Sequence, residues 1–271
     1  MSEAECLHRG GPPGRWGNLG LWSGADQPYA EAAAALADAV SAAARMAELV
    51  DTGGDGPRVA CLACGAGDEG LRLLQRLPRL QLVGVERAPA AADAARQRFV
   101  QAGCAQRAQV HTQPVLDWLA AADDPQPFDA MLCVDAAYHL QPLERLFAGV
   151  RARLRPGGRF AFTARPHAGD GLPPRRLRAA AALCGVKVEG LTGLERHCAQ
   201  LRAAGFVDVQ AQVLDGAVLD GFARFVRRQT RRLGHGALHP AWLRPALTAA
   251  LIGPCRRAGL GYALFSGQRP G

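Results

Sequence analysis

Lysine is almost absent from this chain. Of the 32 basic residues in 271, Lys187 is the one Lys and the rest are Arg. The formal net charge of +8 would suit an anionic partner. However, an Arg-for-Lys bias alongside abundant Ala and Gly reads as the mark of a GC-rich gene, so nucleic acid is not the expected partner. No run of about 18 apolar residues exists, and no membrane span is expected. The opening Met-Ser-Glu-Ala-Glu-Cys lacks the basic start and apolar stretch of a secretory leader. Cys is plentiful, at eight residues, but forms no framework. The residues are scattered, several inside apolar runs, as reduced thiols are. Cys61 and Cys64 form a CxxC, but no second pair or His pair at zinc spacing accompanies it, so no metal is expected. These absences leave a soluble, cytoplasmic protein as the expectation, and nothing in the sequence specifies an oligomer.

What is present is alternation. Strands are predicted over 58–63, 81–86, 109–112, 128–135 and 159–163, with helices over 67–76, 88–103, 115–121 and 142–154 between them. Arg155-Pro-Gly-Gly158 predicts a tight turn into the fifth strand. Strand–helix alternation of this kind builds a parallel sheet covered by helices. Residues 164–190 leave the pattern and predict an insertion or cap. After it come a helix over 194–204, a strand over 206–214, a helix over 220–232, a helix over 246–258 and a closing strand over 261–267. Residues 1–15, with Gly10-Gly11-Pro12-Pro13, predict disorder, and 16–56 an Ala-rich helical lid ahead of the main domain, 57–271.

The first strand stops at Gly65-Ala66-Gly67, and the second apolar run ends on an acid, Glu86, nineteen residues after Gly67. A strand, a Gly-rich turn and an acid closing the next strand make a nucleoside-binding crevice. The glycines let backbone approach the ligand, and the acid accepts hydrogen bonds from ribose hydroxyls. This spacing suits either hydride transfer with a dinucleotide or methyl transfer from S-adenosylmethionine. Gly70 satisfies the third glycine of the dinucleotide fingerprint, so the glycines alone do not separate the two.

The ordered set of motifs resembles the class I S-adenosylmethionine-dependent methyltransferases. Val59-Ala-Cys-Leu-Ala-Cys-Gly-Ala-Gly67 is similar to the family's V-L-D-x-G-C-G-x-G, and Leu82-Val-Gly-Val-Glu86 to its second motif. Phe128-Asp-Ala-Met-Leu-Cys-Val-Asp135 is similar to the fourth motif, and Leu154-Arg-Pro-Gly-Gly158 to the L-x-P-G-G turn. The resemblance implies an α/β fold, a Rossmann-like seven-stranded sheet, with S-adenosyl-L-methionine as cofactor. Cys64, Gly65, Ala66 and Gly67 would carry the methionine and ribose side of that cofactor, and Glu86 its ribose hydroxyls. Arg87, Val115 and Asp135 complete the implied cofactor contacts. Cys61 stands where the family usually has an acid, which removes one charged anchor for the methionine end. Ala63 stands in place of its first Gly, and Gln113-Pro114-Val115 lacks the Asp often found beside adenine.

Asp135-Ala-Ala-Tyr-His-Leu140 follows the fourth strand, whose carboxyl end faces the ligand in such a sheet. It lacks the Asp/Asn-Pro-Pro-Tyr/Phe of base-directed amino-methyltransferases. The small-molecule, natural-product subgroup often has a His at the position of His139. There an imidazole can deprotonate a substrate hydroxyl; the same residue could equally be structural. Tyr138 would position substrate or pack over the cofactor. Trp16-Gly-Asn-Leu-Gly-Leu-Trp22, then Tyr29, resembles that subgroup's N-L-G-Y-W segment. The resemblance implies that Trp16, Asn18, Trp22 and Tyr29 form a lid touching substrate and cofactor; the competing reading is an aromatic staple.

The expected activity is methyl transfer from S-adenosylmethionine to a small-molecule oxygen or nitrogen. A protein or RNA methyltransferase is one alternative, favoured by the Arg-rich stretch 224–232. A non-catalytic methyltransferase-like binding protein is another, favoured by the missing motif-one acid.

Overall fold

The computed structural model describes residues 3–9, 15–49, 56–121, 126–169, 172–183, 191–234, 237 and 239–271. Apolar runs too short for helices give five strands that pair in parallel: β1 (Arg58–Leu62), β2 (Gln81–Glu86), β3 (Ala108–Thr112), β4 (Phe128–Cys133) and β5 (Leu154–Ala164). Two more, β6 (Val207–Val213) and β7 (Ala263–Gln268), add antiparallel pairings. The sheet order is β3-β2-β1-β4-β5-β7-β6. The chain winds outward from β1 to β3, then returns to lay β4 on the other side of β1. This reversal opens a crevice at the carboxyl ends of β1 and β4, where ligands bind in sheets of this kind.

The strands are buried on both faces, so successive residues feed opposite cores. Val59 and Cys61 of β1 pack on one side, Ala60 and Leu62 on the other. The first face is covered by α2 (Tyr29–Ala43), α3 (Asp68–Arg76), α4 (Pro89–Gln101), α9 (Gly221–Leu233) and α10 (Pro240–Arg257). The second is covered by α5 (Val115–Ala120), α6 (Leu143–Arg153) and α8 (Leu194–Ala203). There Phe162 stacks on Phe160 at 4.9 Å and on Phe265 at 5.2 Å. Removing one such ring would cost about 3–5 kcal/mol. Among the described residues, no helix is long and apolar enough to cross a membrane.

Three expectations are corrected, and one helix is found within a residue of its expected bounds with an added turn before it. Glu3–His8 forms a helix, α1, with Cys6 and Leu7 buried, where 1–15 predicts disorder. Its apolar side gains burial against α2 and α10; residues 1–2 and 10–14 lie outside the described residues. The Arg155–Gly158 turn is looped out within β5, because Phe128 pairs with Leu154 and Ala130 with Arg159. The helix predicted from 220 starts at Gly221 and is entered through a π-helical turn, Gly216–Asp220. The last helix begins at Pro240, six residues before 246. Pro at the first helical position has no N–H to lose. The residue before it, His239, caps the helix: its Nδ1 accepts from the Ala241 amide at 3.1 Å. Pro245 and Pro254 sit inside this helix, and burial of Trp242, Ile252 and Cys255 offsets the backbone bonds they forgo. Within the predicted cap, Arg175–Leu183 forms α7; residues 170–171 and 184–190 lie outside the described residues.

Candidate active site

The turn after β1 depends on left-handed backbone. Ala63, Gly65 and Gly67 have φ of 55°, 54° and 82°. Ala63 occupies the left-handed region at a cost of about 1–2 kcal/mol, which a glycine there would avoid. A Cβ on Gly67 would come within 2.9 Å of Ala95 Cβ and 3.0 Å of Phe99 Cζ, so α4 backs this residue. A Cβ on Gly65 would meet nothing within 4 Å; that side of the turn faces a cavity. Glu86, buried at the end of β2, ties the turn down: its carboxylate accepts from the Gly65 amide at 3.0 Å and the Ala88 amide at 2.9 Å.

Three cavities meet at the crevice. One of about 210 Å³ is lined by Ala63, Cys64, Gly65, Ala66, Glu69 and Asp135, among others. A second, about 670 Å³, is lined by Glu86, Arg87, Val115, Ala136 and His139, among others. The third, about 320 Å³, lies under residues 15–19 and against Tyr138, His139, Arg165 and Arg244. Asp135 borders the first and third, and His139 the second and third.

Asp135 holds this junction together. Its φ of 52° is left-handed, a conformation Asp tolerates better than most residues. Its amide donates to Thr163 Oγ1 at 2.7 Å, which fixes the loop to β5. Oδ2 accepts from the Leu19 amide at 2.8 Å, and Oδ1 from the Tyr138 hydroxyl at 2.9 Å. Arg165 donates to that hydroxyl at 2.8 Å, and its guanidinium lies 4.1 Å from the ring centroid.

Tyr138, expected to position substrate or pack over the cofactor, has its hydroxyl committed to Asp135 and Arg165. Its hydroxyl both donates and accepts within the protein, and burial holds its acidity well below that of an ordinary phenol. It positions Asp135 and Arg165 and is not available as a base. His139 is exposed where the two cavities meet, its ring 4.4 Å from that of Tyr138.

The aromatic N-terminal segment divides in two. Trp16 and Asn18 line both the 210 Å³ and the 320 Å³ cavities. Trp22 lines none of the three cavities: it stacks on Phe225 of α9 at 4.8 Å and gives its indole N–H to the Leu19 carbonyl at 2.8 Å. Trp22 is thus a staple. Tyr29 borders the 320 Å³ cavity, but its hydroxyl donates to the Asn18 carbonyl at 2.7 Å. Gly67 lines none of the three either; it shapes the turn from behind, while Cys64, Gly65 and Ala66 face the cavity. Burial pushes the Cys64 thiol up to about 12 and Cys61 well above its usual range, so neither is a reactive thiolate.

Sequence reasoning did not anticipate Arg165, Phe222, Arg244 and Pro245 on the third cavity, or Glu69 on the first. Arg165 directly follows β5, so the carboxyl-end rule could have found it. Arg244 carries no such signal.

Residues 62–160 match the model of a methyltransferase domain. Over 97% of its length the chain is 26% identical to the erythromycin 3''-O-methyltransferase of Saccharopolyspora erythraea, covering 87% of that protein. Its structure is similar to that of the [4+2]-cyclase SpnF, with a TM-score of 0.73 at 20% identity, over 99% of this chain and 94% of that one. It is also similar to a geranyl diphosphate C-methyltransferase from Streptomyces coelicolor crystallised with S-adenosyl-L-homocysteine. That match has a TM-score of 0.70 at 16% identity, over 93% of this chain and 87% of the other.

Residues 62–160 form a methyltransferase domain, and the protein is an S-adenosylmethionine-dependent methyltransferase. Its cofactor is S-adenosylmethionine, and the residues present fit that molecule. The methyltransferase leaves open space where Gly65 lacks a side chain and ends β2 on a buried acid. The α9 arginines that favoured a protein or RNA substrate sit opposite its buried Phe222, Phe225 and Val226, as on an ordinary amphipathic helix.

Proposed function

We propose that this methyltransferase methylates a hydroxyl of a small molecule held in the 320 Å³ cavity. The observation that carries the reading is His139, exposed at the junction between that cavity and the one bordered by Glu86. The cavity volume is at the small end of the range for ligand pockets. Glu86 would hold the ribose hydroxyls, with Arg87 and Val115 beside the adenosine and Cys64, Gly65 and Ala66 along the methionine arm. Bound there, S-adenosylmethionine supplies an electrophilic methyl: the acceptor oxygen's lone pair forms the new bond while the carbon–sulfur pair stays on sulfur. His139 takes the hydroxyl proton as the oxygen becomes alkylated. Asp135, Tyr138 and Arg165 keep the junction rigid, and Trp16 and Asn18 exclude water from it. Alignment of donor and acceptor supplies much of the acceleration in such a transfer, so a fuller catalytic dyad is not required. The erythromycin 3''-O-methyltransferase, similar along nearly the whole chain, supports oxygen over nitrogen as the acceptor.

The test is release of S-adenosylhomocysteine across a panel of hydroxylated small molecules and a matched panel of amines. Turnover is expected with hydroxyl acceptors, and His139→Ala should lower kcat by about 10²–10⁴-fold with cofactor affinity unchanged. Turnover confined to amines, or a His139→Ala enzyme as fast as the wild type, would overturn the reading.

A further inference from the structure

The family's motif-one acid is missing at Cys61, yet a carboxyl group stands beside that position in space. Glu69, in the first turn of α3, lies against Cys61, whose thiol donates to it. Glu69 is only 9% exposed, and it lines the 210 Å³ cavity together with Cys64, Gly65 and Ala66.

The other carboxylates near this cavity are engaged. Asp68 accepts from Arg98 at 2.6 Å and from the Arg15 amide at 3.2 Å. Asp135 accepts from Leu19 and Tyr138. Glu86 accepts from two amides. Among the described residues, Glu69 Oε1 is the one buried carboxylate oxygen with no hydrogen-bond partner. Burying such a group without a partner costs about 1–3 kcal/mol, and core packing alone gives no reason to keep it.

We infer that Glu69 is the cation-binding group of the cofactor site, placed to receive the ammonium of the methionine arm in the role the absent acid at position 61 would have had. The inference rests on the cofactor's lying along the Gly65 turn. With Glu86 assigned to the ribose, the part of the cofactor left for the smaller cavity is the methionine arm, whose cation matches an acid.

Proton linkage follows. Burial raises the Glu69 carboxyl to about 8, so the free protein holds it neutral at pH 6.5. A bound ammonium favours the ionised form, so binding at that pH expels a proton. Affinity rises with pH up to about 8, where an α-amino group begins to lose its own charge. The neighbouring thiols, Cys61 and Cys64 at the end of β1 and Cys133 on β4, are pushed upward by burial and release no proton between pH 5.5 and 7.5. Asp68 is paired with Arg98 from α4, and Asp135 is tied to Leu19 and Tyr138; Arg15 is the remaining charged group on the cavity wall.

Calorimetry on the full chain tests the inference, with S-adenosylmethionine titrated at pH 6.5 in two buffers of different ionisation enthalpy. The wild type should release a substantial fraction of one proton, and Glu69→Gln none. Glu69→Gln should bind about tenfold or more weakly, as expected for loss of a charged hydrogen bond. Its affinity for 5'-methylthioadenosine, which has no amino-acid arm, should not change. An unchanged S-adenosylmethionine affinity in Glu69→Gln overturns the inference and leaves the cofactor assignment standing. So does wild-type binding without proton release, a measurement that needs no variant to fold. Failure of the wild type to bind either ligand would overturn the cofactor assignment itself, and the inference with it.

Discussion

The cavities bordered by the Gly65 turn and by Glu86 are lined mainly by residues between Ala63 and Arg145, whereas the 320 Å³ cavity draws on Arg15–Tyr29, Asp135–Arg165 and Phe222–Thr248. The first pair is built around left-handed turn residues, two amides turned onto Glu86, and the ends of β1 and β2. The third is made of side chains from segments more than 200 residues apart in sequence. A site that grips a common cofactor can be local and stereotyped. A site that selects an acceptor is assembled from whatever the long loops and last helices bring over the crevice.

The harshest way to break this contrast is to remove the conformation the first half depends on. Gly67→Val would force a β-branched residue to φ 82° and drive its Cβ into Ala95 and Phe99. The expected loss is about 3 kcal/mol or more, read as a fall in Tm on the order of 10 °C. A variant as stable as the wild type would show that the turn tolerates other backbone geometries. Next in size, Glu86→Ala frees two amides and removes the acid proposed to hold the ribose. Calorimetry should show S-adenosylmethionine binding weakened by about 10- to 100-fold, the scale of a charged hydrogen bond or two. Smallest is a change on the acceptor side. Tyr138→Phe loses the hydroxyl shared by Asp135 and Arg165, worth about 1 kcal/mol. KM for the acceptor should rise several-fold while the dissociation constant of S-adenosylmethionine stays put. An equal effect on both would mean the two halves are not separable at Asp135.

The same contrast explains what could be read in the sequence. Glu86, Gly65 and the ends of β1, β2 and β4 were legible because each is a local event: an apolar run stops, a glycine permits positive φ, an acid closes a strand. The first five strands followed from alternation, and the seven-stranded sheet from the family resemblance. Trp22 and Trp16 looked equivalent, both in one short aromatic segment, yet one stacks on α9 and the other reaches the cavities. That difference depends on Phe225, some 200 residues away. Tyr138 was placed in the site by its distance from β4, but its bond to Arg165 was not visible from spacing. Arg244 reaches the crevice because α10 begins at Pro240, six residues ahead of the helix expected from 246. Glu69 stands in the first turn of α3, where carboxylates are common for reasons of the helix dipole alone, so no local signal marks it.

The stretch from Arg15 to Asn18 borders two cavities at once, and two backbone hydrogen bonds moor it: Arg15 to Asp68 and Leu19 to Asp135. Between these moorings the Tyr29 hydroxyl holds the Trp16 and Asn18 carbonyls and the Asn18 side-chain amide holds the Ala33 carbonyl, so the partition is fastened along its length. Whatever frees it would open both chambers together, so under the proposed assignment spent donor and finished product would share one exit.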